Sequence, residues 1–373
     1  MNVLFACGGS GGHINPALAI AEEVRRRDPD AGILFIGADR EMEKRLIPAA
    51  GYRLENVTMT GFVRSITPKA IASNARVLWY IKQAEKKVDA LIDAFHPDIA
   101  IGTGGYVCFP VLRMAARRKV PTVVHESNSI PGLTTKLLQA TVNRICTAFP
   151  GVEKNYSVPE KLLITGTPVR GDFTRSTKES ARKALGLSGR PVVVSIWGSL
   201  GASKMNEYMA DFIVENARTN AFHHIHATGG GEAGKQCMLE MLRARGVETL
   251  PENIDLREYI YDMGTVMNAA DLVLCRAGAS TLAELTALGK PSVLVPSPNV
   301  TNHHQERNAE TMEAAGASVM IKEEECKGVL FETVCSLVSD PARLEIMSSN
   351  SKKLGVPDSA RIIVDVLESL VNP

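Results

Sequence analysis

Two doubly wound α/β domains, each a parallel sheet covered by helices on both faces, are the fold this sequence predicts. Short apolar runs rich in Val and Ile alternate with stretches of helical periodicity along the whole chain, as expected of strands buried on both faces. Glycine-rich turns follow four of those runs directly and lead into helices, as at the carboxyl edge of a parallel sheet. A length of 373 residues exceeds most single cores and favours two domains.

In the first half the strand candidates are 3–6, 33–37, 52–59, 99–102, 122–125, 144–147 and 162–165. In the second they are 192–197, 223–227, 254–258, 272–275, 292–295 and 318–321. Turn residues at Gly166-Thr167-Pro168-Val169-Arg170 and at Arg190-Pro191 flank a charged helix at 178–185 and mark the boundary, giving domains at 1–168 and 169–358. The amphipathic segment at 359–373 can pack on either domain.

The first glycine turn is Gly8-Gly9-Ser10-Gly11-Gly12-His13. Asn15 as cap and Pro16 at the first helical position start the helix that continues over 17–27, which puts His13 at the mouth of the loop. The second turn is Gly102-Thr103-Gly104-Gly105-Tyr106. Unobstructed backbone N–H groups backed by a helix N-terminus bind phosphate oxygens, and two such loops on one crevice suit a diphosphate or two phosphorylated ligands. A dinucleotide fingerprint needs a glycine three places after Gly11, where this chain has Ile14, so an NAD-dependent oxidoreductase is disfavoured.

The third turn, Trp197-Gly198-Ser199-Leu200-Gly201-Ala202-Ser203, is by the same physics a phosphate site of the second domain. The fourth opens the run Ala277-Gly278-Ala279-Ser280-Thr281-Leu282-Ala283-Glu284. Thr281 and Glu284 have capping-box spacing, so Glu284 either closes a helix start or accepts from two ribose hydroxyls. Further on, Gln305 and Asn308 lie one helical turn apart and point the same way, able to read sugar hydroxyls.

Composition is that of a globular protein, 45% hydrophobic and 22% charged with a formal net charge of +1, which argues against a nucleic-acid binder. No run approaches a membrane span and the N-terminus lacks a signal peptide's pattern, which points to the cytoplasm. Seven cysteines without a C-x-x-C pair read as reduced, mostly buried thiols. Charge is uneven: residues 64–119 hold ten Lys/Arg against four acids, around the apolar and aromatic run Val77-Leu78-Trp79-Tyr80-Ile81. This is either a peripheral contact with anionic headgroups or an amphipathic helix packed on the sheet with its cations solvated.

The ordered series GGSGGHINPALAIA, GTGGYV, HESNSIPGLTTKLL, GTPVR, GSLGAS, RAGASTLAE and NHHQERNAE resembles the MurG family of bacterial glycosyltransferases over nearly the whole chain. The resemblance implies the two-domain GT-B architecture and peptidoglycan synthesis at the cytoplasmic face of the cell membrane. The implied partners are UDP-N-acetylglucosamine as donor, lipid I as acceptor, an anionic membrane surface and other cell-wall synthesis proteins. Carried over position by position, donor contacts fall on Ser10, Gly11, Gly12, Asn128, Arg170 and Ser199. Ile260 is implied beside the uracil, Ala279, Ser280, Thr281, Leu282, Ala283 and Glu284 at the diphosphate and ribose, and Gln305 with Asn308 at the sugar. Gly104, Gly105 and Tyr106 are implied at the acceptor diphosphate. Thr167, Trp197 and Leu200 depart from the family pattern, which puts side-chain contacts from 167 and 200 in doubt.

An inverting transfer needs a base for the acceptor's 4-hydroxyl. His13 either takes that proton or organises its loop through a hydrogen bond; Glu126 is the second candidate, and His125 reads as a strand-end histidine satisfied by backbone. No metal site is evident: His303 and His304 diverge without a third ligand, and Asp28-Pro29-Asp30 reads as a solvated turn. No cofactor is required, leaving-group charge falling to helix N-termini and Arg170. The rivals are a UDP-N-acetylglucosamine 2-epimerase of the same architecture and a non-catalytic nucleotide-sugar sensor.

Overall fold

The computed structural model describes residues 1–61, 67–128, 130–173, 176–187, 189–198, 201–300, 303–356 and 358–372. The chain forms two compact units, one of residues 1–170 with 356–373 and one of residues 171–355.

In the first unit seven strands run parallel: β1 (Asn2–Ala6), β2 (Gly32–Gly37), β3 (Arg53–Asn56), β4 (Ile99–Gly102), β5 (Thr122–Glu126), β6 (Arg144–Thr147) and β7 (Leu162–Ile164). Their order is β3-β2-β1-β4-β5-β6-β7, with Val3 opposite both Ile33 and Ile99. Alternation along β1 decides which residues meet which helices. Leu4 and Ala6 join Val77, Ile81, Val88 and Ile92 of helix Pro68–Phe95 on one face. Val3 and Phe5 join Ile14, Leu18 and Val24 of helix Gly11–Arg27 on the other, where Phe5 stacks on Phe35 with ring centroids 4.8 Å apart.

The second unit repeats the plan with β8 (Val192–Ile196), β9 (His223–Ala227), β10 (Ile254–Arg257), β11 (Leu272–Cys275), β12 (Ser292–Leu294) and β13 (Ser318–Met320), all parallel, in the order β10-β9-β8-β11-β12-β13. Strand order reverses between β1 and β4 in the first sheet and between β8 and β11 in the second. Ligands of open α/β sheets bind at such reversals, outside the carboxyl ends of the strands. The four glycine turns are the loops that leave β1, β4, β8 and β11.

The terminal helix Ser359–Val371, left open by the sequence, packs on the first unit. Ile363, Val364 and Leu367 enter the core beside β1, and Arg27 pairs with Asp365 at 2.7 Å and Glu368 at 2.8 Å. All seven cysteines are free thiols, with Cys237 exposed, Cys335 half-buried and the other five buried. A feature the sequence did not announce lies inside the second sheet, where the Ser195 hydroxyl meets His224 Nε2 at 2.8 Å and His226 Nδ1 at 2.7 Å. Burial pushes both histidines well down, His226 to about 3, so both are neutral at physiological pH.

Several boundaries differ from expectation. Helix Gly11–Arg27 starts at Gly11 with extended Ser10 as its cap, not at Asn15 and Pro16, and His13 therefore stands in the first helical turn. Residues at the start of a helix have no intrahelical acceptor for their N–H groups, so glycines cost little there, and Pro16 forfeits only the bond to the Gly12 carbonyl. The 52–59 run is a strand only over Arg53–Asn56, although Val57 and Met59 remain buried.

Candidate functional site

The two glycine loops of the first unit form one body. Gly8 N–H donates to the Gly104 carbonyl at 3.3 Å, and the Thr103 hydroxyl donates to the His13 carbonyl at 2.7 Å. Glycine is required where they touch. At Gly104, with φ +124°, a Cβ would overlap the His13 ring; at Gly105, with φ +91°, it would overlap the Gly8 carbonyl oxygen. At Gly9 a Cβ would meet nothing within 4 Å, so the outer side of the loop is open. The N–H groups of Gly11 and Gly12, at the positive end of a 17-residue helix, are suited to an anion there. Ser10 is exposed beside them.

His13 Nδ1 lies 2.9 Å from the Gly8 carbonyl oxygen. A carbonyl only accepts, so Nδ1 is the donor; in the neutral ring this leaves the lone pair on Nε2, the tautomer a general base needs. Ser10 Oγ stands 3.5 Å from the same Nδ1.

Glu126, the second base candidate, has both carboxylate oxygens engaged. Its Oε1 accepts from the backbone N–H and the side-chain amide of Asn128 at 3.0 and 2.9 Å, and its Oε2 from Gly132 N–H at 2.9 Å and the Thr135 hydroxyl at 2.7 Å. A buried carboxylate with both oxygens doubly engaged ties Asn128, Gly132 and Thr135 to the end of β5 and so places Asn128. His125 behaves as expected, its Nε2 donating to the Gly166 carbonyl at 2.9 Å while burial pushes its imidazole down from the ordinary histidine value. Tyr106, 44% exposed, rims an apolar groove with Met59, Ile81, Phe109, Leu133 and Leu137. Arg170 is half-buried at the end of the first of the two segments that make up this unit.

In the second unit Ser199 and Leu200 of the third turn lie outside the described residues. Gly201, at φ +74°, packs so closely on the turn after β9 that a Cβ would stand 2.6 Å from the Thr228 carbonyl oxygen. That turn, Thr228-Gly229-Gly230-Gly231, is a component the sequence reading missed. The signal was present, since three glycines follow a strand candidate and precede a helix. Trp197 is buried with the Arg276 guanidinium 6.0 Å over its ring, and Arg276 in turn donates to the Val295 and Pro296 carbonyls at 3.1 Å and pairs with Glu323. The departure at position 197 therefore belongs to the core.

Helix Ala279–Leu288 begins at Ala279 with Gly278 as its cap and no side-chain capping bond. The capping box expected of Thr281 and Glu284 is absent: Thr281 is the third helical residue and Glu284 stands in the second turn. Ala279 and Leu282 are buried, whereas Ser280, Thr281, Ala283 and Glu284 are half-buried. The helix start offers N–H groups to an anion, and the carboxylate lies one turn beyond them.

Gln305 and Asn308 each make a backbone contact across the turns beside them. Gln305 Oε1 accepts from Ser297 N–H at 2.9 Å, and Asn308, 2% exposed, donates its amide to the Ala277 carbonyl at 3.1 Å. Both amides hold the turns after β11 and β12, a use that sequence spacing does not distinguish from sugar recognition. Ile260, at 2% exposure, is spent in the core and offers a base almost no surface, whereas Tyr261 beside it is 70% exposed with its ring centroid 4.9 Å from that of Tyr259.

Residues 3–147 match the glycosyltransferase family 28 N-terminal domain and residues 192–363 the glycosyltransferase family 28 C-terminal domain. Over 373 residues, all of this chain and 98% of the relative, the sequence is 39% identical to the UDP-N-acetylglucosamine–N-acetylmuramyl-(pentapeptide) pyrophosphoryl-undecaprenol N-acetylglucosamine transferase of Acetivibrio thermocellus. The enzyme of that name from Listeria monocytogenes is 38% identical, with both chains covered in full. A crystal structure of Acinetobacter baumannii MurG matches with a TM-score of 0.72 over 99% of each chain at 21% identity. The UDP-GlcNAc 2-epimerase of Neisseria meningitidis reaches 0.67 over 99% of this chain and 100% of its own at 15% identity. Those structural likenesses speak for the GT-B fold, which both enzyme classes share; the sequence likeness goes further, and this chain belongs to the family of UDP-N-acetylglucosamine–N-acetylmuramyl-(pentapeptide) pyrophosphoryl-undecaprenol N-acetylglucosamine transferases.

Proposed function

We propose that this enzyme transfers N-acetylglucosamine from UDP-N-acetylglucosamine to the 4-hydroxyl of lipid I, with inversion, to form lipid II for peptidoglycan synthesis. The observation that carries the reading is the joined pair of glycine loops in the first unit, with His13 bound to the Gly8 carbonyl through Nδ1 and its Nε2 left for an incoming group. A lipid-linked diphosphate suits the N–H groups of Gly11, Gly12 and Gly105, with Tyr106 at the rim of the groove, while Gly104, whose N–H donates to Cys108 Sγ at 3.3 Å, shapes the loop. The acceptor hydroxyl attacks the anomeric carbon, its proton passes to His13 Nε2, and the bond to the UDP oxygen breaks with its electron pair. The start of helix Ala279–Leu288 and Arg170 offset the charge on the leaving diphosphate, with Ser10, Asn128 and Ser199 as further donor contacts. The epimerase alternative shares the fold but lacks the sequence likeness of 38–39%.

Without a capping box to maintain, Glu284 is assigned to the ribose hydroxyls. Glu284→Gln is expected to raise the Michaelis constant for UDP-N-acetylglucosamine at least several-fold and to leave the thermal midpoint nearly unchanged. An unchanged Michaelis constant would overturn the assignment.

The first unit is further proposed to rest on the anionic cytoplasmic surface of the membrane, through the exposed cations of helix Pro68–Phe95. Arg113 and Arg117 pair with Glu85 at 2.9 and 3.6 Å, and Arg118 pairs with Asp89 at 3.2 Å and with Asp93, so this cluster ties its helix to helix Pro68–Phe95. The outward face of helix Pro68–Phe95 carries Arg76, Trp79, Lys82 and Lys86, with Leu78 and Trp79 each 57% exposed. Attraction of about 1 kcal/mol per basic residue near the surface, fading with salt, is the expected scale. Arg76, Lys82 and Lys86 replaced together by Gln should weaken binding to anionic vesicles and transfer to long-chain acceptors while sparing a water-soluble short-chain acceptor. Equal loss on both acceptors would place these residues in folding or catalysis instead, and wild-type transfer to neither acceptor would remove the proposed activity itself.

A further inference from the structure

Glu43, on helix Glu41–Ala49, is a fully buried carboxylate in contact with the first glycine loop. Its Oε1 accepts from Gly9 N–H at 2.8 Å, and its Oε2 is buried without a hydrogen-bond partner among the described residues. An incompletely satisfied buried carboxylate beneath a phosphate loop is costly on electrostatic grounds, since its charge opposes the anion the loop serves. Glycine at position 8 is what admits it, because a Cβ there would stand 2.6 Å from Glu43 Oε1.

The Gly9 N–H and the Gly8 carbonyl are the two ends of one peptide group. One end donates to Glu43 and the other accepts from His13 Nδ1 at 2.9 Å. We propose that Glu43 is a positioning residue that acts on His13 through the Gly8–Gly9 peptide, fixing the Nδ1–H tautomer and strengthening Nε2 as a base. A carboxylate on the N–H polarises the amide and makes its carbonyl oxygen a better acceptor, as hydrogen bonds in a chain reinforce one another. The better acceptor favours positive charge on the imidazole, the part a carboxylate plays when it holds a catalytic histidine directly. The proton of the reaction moves only from the acceptor hydroxyl to Nε2.

The neighbours leave this the dominant carboxylate influence on the loop. Cys7, just after β1, and Cys108 of helix Cys108–Arg117 are buried thiols pushed up, Cys108 to about 12, so neither is charged. His125 of β5 is pushed down by burial and is neutral, and Glu126 is engaged in its own loop. Lys44, beside Glu43 on the same helix, pairs with Asp39 at 3.0 Å.

The inference rests on His13 being the base, and the test separates the two. Glu43→Gln keeps an acceptor for Gly9 N–H and removes the charge. With a water-soluble acceptor, kcat is expected to fall roughly 10-fold, the scale for groups that orient and tune a reactive residue, with the donor Michaelis constant unchanged. The acid limb of the kcat–pH profile is expected to move to lower pH. In a His13→Ala background the same substitution should add nothing. A limb that stays in place, or an equal loss in both backgrounds, makes Glu43 merely structural; full activity of His13→Ala removes the base reading instead. Nitrogen chemical shifts of the His13 ring in the wild-type enzyme need no variant to fold, and a neutral ring carrying its proton on Nε2 would overturn the proposal outright.

Discussion

Replacement of His13 by Ala is expected to lower the turnover number by roughly 10²-fold or more, the usual scale of general-base assistance. Donor affinity should change little, because the groups assigned to the nucleotide lie mainly in the second unit, on helix Ala279–Leu288. Steady-state kinetics with both substrates varied checks this. A fall in donor affinity equal to the fall in rate would mean that the imidazole only organises the loop through its bond to the Gly8 carbonyl, the other role its geometry permits. The pH profile adds a sign. A base must be unprotonated to act, so wild-type turnover should decline on the acid side and that limb should vanish in the Ala variant. Glu126 cannot take over: four hydrogen bonds hold its two oxygens, and releasing one would disorder the segment that carries Asn128.

The sheets were legible because their physics is local. A run such as 99–102, apolar and flanked by glycine, can be buried only as a central parallel strand, and all thirteen strands stand where those runs do, with ends shifted by three residues at most. The glycine turns were legible too, since a positive φ or a backbone approach like that of Gly105 to Gly8 excludes other residues. What sequence did not settle depends on partners distant in the chain. Thr281 and Glu284 had the spacing of a capping box, yet Gly278 caps the helix, because the tight exit from β11 sets where the helix begins. Gln305 and Asn308 had the spacing of a recognition pair, but their amides meet Ser297 and Ala277, carried to them by tertiary packing. Glu43 gave no signal at all. It reads as one of two acids at the start of an amphipathic helix, and only the fold carries it to Gly9.

The same close approach makes Gly105→Ala severe although it adds one methyl group. At φ +91° an alanine already meets the cost of a left-handed backbone, about 1 kcal/mol. Its Cβ would also overlap the Gly8 carbonyl oxygen and stand 3.0 Å from the Gly8 carbonyl carbon. These are backbone atoms, so no rotamer change relieves the clash; the peptide must shift, and it is the peptide that holds His13 on one side and Glu43 on the other. Loss of activity at least as large as that of His13→Ala is therefore expected, with a thermal midpoint lowered by several degrees, as for a destabilisation of about 2 kcal/mol. Gly51→Ala is the matched control: its φ is +82°, and a Cβ there meets nothing within 4 Å. It should show the backbone cost in the thermal midpoint and none in kcat/KM. If the two variants proved alike in both measurements, the contact between the loops would carry neither stability nor catalysis, and the geometry assigned to His13 would lose its support.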